Sequence, residues 1–168
     1  MDKYHFDKII EAIDKPDYFI DVGVARNNTE AWWFHEVYPD VPIYGFEPCP
    51  TRYNQINNYP GKLYSRCVTD VVGQFSGHVN HYDFKVSYEK DDNDPYQYIE
   101  VDSTTLDDID KKLNFKNVFV WADIEGGELK LAQGGQKLLK EKRIQALNLE
   151  LTPNRPTDEW PAPEKVVE

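Results

Sequence analysis

Three stretches of the chain, FIDVGVARNNT, YGFEPCP and VFVWADIEGGE, share one pattern: an apolar run closes on an acid. A carboxylate at the end of a buried strand is suited to receive polar groups of a ligand, because its oxygens accept hydrogen bonds side by side. In the first stretch Asp21 is followed by Gly23, which lets the backbone turn without a Cβ clash and lets a ligand come close. The pyrophosphate fingerprint of dinucleotide enzymes needs G-x-G-x-x-G, and Gly23-Val24-Ala25-Arg26-Asn27-Asn28 supplies only its first glycine. A cofactor without phosphates needs less room at such a turn, and Asn27 tolerates a positive φ.

Glu47 lies 24 positions beyond Gly23, close to the ~20-residue offset at which an acid takes the hydroxyls of a ribose. Turn and acid together favour a ribose-containing cofactor. The third stretch places Asp123, Glu125 and Glu128 after another apolar run, where carboxylates can act on a substrate or simply complement a helix dipole. A plain strand-to-helix turn at Gly23 is the bland alternative.

These acids need strands to bring them to one edge. Strands are expected over Tyr18 to Val22, Ile43 to Phe46, Leu63 to Val68, Val118 to Ala122 and Ile144 to Leu151. Helices are expected around Ile9 to Ile13, over Thr29 to Val37 with Asn28 as cap, over Thr51 to Asn57, and once or twice within Gly127 to Lys142. This alternation predicts an α/β, three-layer Rossmann-like sandwich with a mostly parallel sheet. Residues 73–101 instead alternate polar and apolar, which predicts an antiparallel excursion interrupted by the solvated run EKDDNDP. Thr104 and Asp107 have the capping-box spacing that opens a helix. In an open parallel sheet, ligands sit outside the carboxyl ends of the strands, the edge at which all three acids fall.

The 168 residues suit a single domain, 1–168, with a sizeable core. A net charge of −11 argues against nucleic acid and anionic membranes as partners. Cys49 and Cys67 have neither metal-ligand spacing nor a disulfide framework, and no apolar run reaches signal-peptide or membrane-span length. The chain therefore reads as cytoplasmic.

In order and spacing, DVGVARNNT, YGFEPCP, VDSTTLDDI and VWADIEGGELKLAQGG resemble the FkbM-type S-adenosylmethionine-dependent methyltransferases of the class I fold, from about Phe19 to Glu150. The resemblance implies S-adenosylmethionine as cofactor. Asp21 and Gly23, with Val24, Asn27 and Asn28 in the same turn, would meet its methionine part; Glu47, followed by Pro48, its ribose; Asp70 its adenine. Asp123, Glu125, Gly126 and Glu128 match the D-x-E-G-x-E motif bordering the methyl-transfer site, with Asp123 and Glu125 as catalytic candidates and Asp123 also as a cofactor contact. Family members methylate oxygens, often hydroxyls on sugars or natural products, so a small-molecule or glycan acceptor is implied.

Three positions depart from the family pattern: Asn27 replaces its second glycine, Trp121 replaces a common lysine, and the chain ends before the last two strands of a class I sheet. Asp123, with or without Glu125, is expected to orient or deprotonate an acceptor hydroxyl; oxygen ligands would suit Mg²⁺, although nothing in the sequence requires a metal. Glu150, His78 and His81 read as solvated residues, and Trp32 and Trp33 as packing. Two other classes stay open: a truncated, non-catalytic cofactor-binding or interaction module, whose exposed last strand could pair in a homodimer, and a nicotinamide-dependent oxidoreductase.

Overall fold

The computed structural model describes residues 3–24, 26–79, 84–86, 97–124 and 126–149. Two sheets are built from the elements α1 (Lys3–Ala12), β1 (Tyr18–Val22), α2 (Thr29–Val37), β2 (Ile43–Phe46), α3 (Pro50–Tyr53), β3 (Lys62–Tyr64), β4 (Cys67–Val68), β5 (Gly73–Val79), β6 (Phe84–Val86), β7 (Gln97–Thr104), α4 (Leu106–Leu113), β8 (Val118–Ala122), α5 (Glu128–Gly134), α6 (Gln136–Lys140) and β9 (Ile144–Leu149). The first sheet has the order β3-β2-β1-β8-β9 with every pair parallel. The second, β4-β7-β5-β6, is antiparallel except where β4 meets β7. This is the α/β, Rossmann-like architecture that the strand-helix alternation predicts.

β1 and β8 lie in the middle of the parallel sheet and, Asp21 apart, are apolar on both faces, as suits strands covered by helices on both sides. One face is aromatic: Phe19, Phe34, Phe119 and Trp121 pack with Phe6 of α1, and Phe19 stacks on Phe34 at 4.3 Å. Ile20, Val22, Val118 and Val120 form the other face with Leu106, Ile109, Leu131 and Leu138 of α4 to α6. Trp121 thus belongs to the core.

Several local expectations shift. Leu63 to Val68 is not one strand: β3 ends at Tyr64 in the parallel sheet, and β4 begins at Cys67 in the other. The helix expected over Thr51 to Asn57 is the single turn of α3. The cap of α4 is Thr105, whose hydroxyl accepts from the Asp108 N–H at 3.0 Å, because Thr104 is still in the β7 ladder. Within Gly127 to Lys142, where one or two helices are expected, there are two, α5 and α6, joined at Gly135. The run EKDDNDP, His81, Glu150 and the residues after it lie outside the described residues. Among the described residues no helix is long and apolar enough to cross a membrane.

Candidate functional site

The register of the parallel sheet assembles the site. Val22 of β1 pairs with Phe46 of β2 and with Ala122 of β8. One position further along each strand stand Gly23, Glu47 and Asp123, at the carboxyl edge. The junction is tight: the Gly23 and Val24 N–H groups both donate to the Phe46 carbonyl, and the Asp123 N–H donates to the Val22 carbonyl. Gly23 has φ +80°, and a Cβ there would lie 2.0 Å from the Asp123 carbonyl oxygen. Only glycine satisfies both conditions.

Asp21 is buried at 4% exposure on the face that Phe19 shares, opposite Gly45 of β2. The ring of Tyr59 fills the space that a Gly45 side chain would take, since a Cβ there would lie 2.5 Å from Tyr59 Cζ. From that position the Tyr59 hydroxyl donates to Asp21 Oδ2 at 3.1 Å. Burial, with further contributions from Glu30, Glu47 and Asp123, pushes the Asp21 carboxyl up to about 7, and the Tyr59 hydrogen bond opposes the rise. Burial and the Asp21 charge in turn raise the Tyr59 phenol. The result is an acid with a phenol for company and three further carboxylates close enough to be felt, a place where positive charge is favoured.

Glu47 is also buried, and it accepts a hydrogen bond from the Cys49 N–H at 2.7 Å; Arg52 approaches its other oxygen at 3.9 Å. Pro48 follows it, half-buried, and Pro50 opens α3, so the loop holding Glu47 is fixed by its own prolines and backbone. Asn28 is buried with φ 40° and is the left-handed residue of the opening turn, the role the sequence suggested for Asn27, which is exposed. As the residue before α2, Asn28 does not cap the helix through its side chain. Its amide instead donates to the Asn57 carbonyl at 3.1 Å and pins the turn to the segment that carries Tyr59.

Asp70 sits past β4, where both oxygens accept from Lys130 of α5 at 3.1 and 3.2 Å. Buried Cys67 feels both Glu47 and Asp70: its thiol is pushed up to about 12 by burial, then by Glu47 and Asp70, against Lys130. Asp123 is exposed at the rim, whereas Glu128 is fully buried and accepts from the Gly126 N–H at 3.3 Å, a contact that shapes the turn before α5. Glu125 lies outside the described residues. The structure therefore gathers Asp21, Gly23, Val24, Asn28, Glu47 and Asp123 at one edge, with Asp70 alongside.

Sequence reasoning missed Tyr59 and Glu30. Glu30 carries the ordinary mark of an acid in a first helical turn. The signal for Tyr59 is indirect: a glycine inside a strand, Gly45, marks a close approach by another part of the chain. Among the described residues no group of three potential metal ligands converges.

A family model described as the methyltransferase FkbM domain matches residues 21–168. No curated protein and no solved structure matches the chain. The family match takes in most of the sequence and begins at Asp21 in β1, so the chain belongs to the FkbM methyltransferase family.

Proposed function

We propose that the chain binds S-adenosylmethionine at this edge and methylates a hydroxyl oxygen of a sugar or small natural product. The observation that carries the reading is Asp21, a buried acid surrounded by Glu30, Glu47 and Asp123 and hydrogen-bonded to a neutral phenol. Such a cluster favours a cationic ligand, and the cofactor carries a sulfonium and an ammonium group. Backbone packed tightly around Gly23 agrees with a cofactor lacking a pyrophosphate.

In this reading Asp21 and the turn Gly23, Val24, Asn27 and Asn28 hold the amino-acid end. Glu47, oriented by Cys49 and followed by Pro48, takes the ribose hydroxyls, and Asp70 borders the adenine. When bound, the cofactor supplies an electrophilic methyl group. Asp123, exposed at the rim, orients the acceptor hydroxyl and takes its proton, with Glu125 beside it in sequence. Mg²⁺ is not part of the reading, and neither nucleic acid nor a membrane surface is a proposed partner.

Calorimetric titration with S-adenosylhomocysteine, run beside a Glu47→Ala variant, tests the cofactor assignment. Micromolar binding that the variant loses is the expected result. No binding by the folded chain, or tight binding of NAD instead, would overturn it. Asp123→Asn is expected to lower turnover about a hundredfold or more and to leave cofactor affinity nearly intact; unchanged turnover would remove Asp123 from its role.

A further inference from the structure

On the other face of the same sheet, away from the acids, a cleft of about 180 Å³ opens between β2, β3 and α4. Its floor is aromatic. Tyr64 stacks on Phe46 at 5.4 Å and lies parallel to Tyr44 at 6.3 Å, and Ile109 and Leu113 of α4 form the opposite wall. Lys62, Arg66 and Lys112 stand around this floor. None of Asp21, Gly23, Glu47, Asp70 or Asp123 lines it.

The charge here runs against that of the molecule. The chain as a whole carries −11, yet against Lys62, Arg66 and Lys112 of this cleft stand, among the described residues, two carboxylates, one of them shared with Lys111. Asp108 pairs with Lys111 and Lys112, and Asp102 meets Arg66 at 3.7 Å, longer than a hydrogen bond. Lys62 meets no carboxylate within ion-pair distance among the described residues; its ammonium lies 5.6 Å from the Tyr44 ring centre. Flat rings with exposed edges favour a ring-shaped ligand, and cations around them favour an anionic group on that ring.

We propose that this cleft is a second binding site, for a small anionic compound whose ring, aromatic or sugar, lies against Tyr44 and Tyr64 while its carboxylate, sulfate or phosphate meets Lys62 and Arg66. The proposal is independent of the methyltransferase reading. It assigns a ligand to a face of the sheet that the reaction does not use.

Phenyl phosphate, titrated into the ¹⁵N-labelled full chain with and without S-adenosylhomocysteine, is the probe. Backbone shifts are expected at Tyr44, Tyr64, Arg66 and Leu113, unaltered by S-adenosylhomocysteine. Inorganic phosphate and phenol should each bind more weakly than phenyl phosphate. Lys62→Glu, at an exposed position, should weaken phenyl phosphate about tenfold or more, and Tyr64→Ala should weaken it as well, with the rest of the spectrum unchanged. No shifts at millimolar probe, shifts elsewhere, or equal affinity for Lys62→Glu would overturn the proposal. Equal affinity for inorganic phosphate would leave only an anion patch and overturn the ring assignment.

Discussion

Two buried aspartates, at opposite ends of the parallel sheet, are treated in opposite ways. Asp110, in α4, accepts from the Phe115 N–H at 2.9 Å and from both terminal nitrogens of Arg143, at 2.9 and 2.6 Å, so its charge is met inside the protein. Asp21 has the Tyr59 phenol for a hydrogen-bond partner and feels Glu30, Glu47 and Asp123 as neighbours. The first arrangement closes a structural joint between α4, the start of β8 and the start of β9. The second sets no cation against the acid among the described residues, which agrees with the cationic ligand proposed for this edge.

Removing the partner of each acid separates the two cases. Arg143→Ala leaves the Asp110 carboxylate buried without its guanidinium and should cost about 3 kcal/mol or more in chemical denaturation, with cofactor affinity of the remaining folded protein unchanged. At the other end Gly23→Ala forces a side chain into φ +80° and against the Asp123 carbonyl. It should cost about 2–3 kcal/mol and abolish binding of S-adenosylhomocysteine, because the turn itself must move.

The Asp21 contrast also has a pH signature. A carboxyl whose folded pKa is raised to about 7, above its ordinary 3.8, contributes stability that is present below the lower value and lost as pH rises through the higher one. The ligand-free chain should therefore be less stable at pH 8 than at pH 5 by about 2–3 kcal/mol. Asp21→Asn should remove that slope, be more stable than the parent at pH 8, and bind the cofactor poorly. An unchanged slope would show that Asp21 is not the group that titrates. Tyr59→Phe makes the smallest change, about 1 kcal/mol of stability, and because the lost hydrogen bond favours the ionised acid, it should move the titration to higher pH.

How much of this the sequence discloses follows from how local each cause is. β1, α2, β2 and β8 have the bounds expected of them, because proline, asparagine and glycine punctuate their ends. Asp21 near the end of β1 and the acids after β2 and β8 are legible for the same reason, since the edge of a parallel sheet follows from where its strands stop. β3 and β4 were not, because a continuous apolar pattern does not show that the chain changes sheets between Tyr64 and Cys67. Which of the two asparagines takes the positive φ is not legible, because both tolerate it and Asn28, the one that does, is held by a contact to Asn57, distant in sequence. Tyr59 escaped notice because its role depends on the absence of a side chain at Gly45.

The most direct test of the central claim is the number of protons exchanged when S-adenosylmethionine binds at pH 6.5, obtained by calorimetry in buffers of different ionisation enthalpy. A cation meeting Asp21 lowers its raised pKa, so the parent chain should release a substantial fraction of a proton, and Asp21→Asn should release none. Binding without proton release, or the same release from both proteins, would contradict the account of Asp21 as the charge that receives the cofactor.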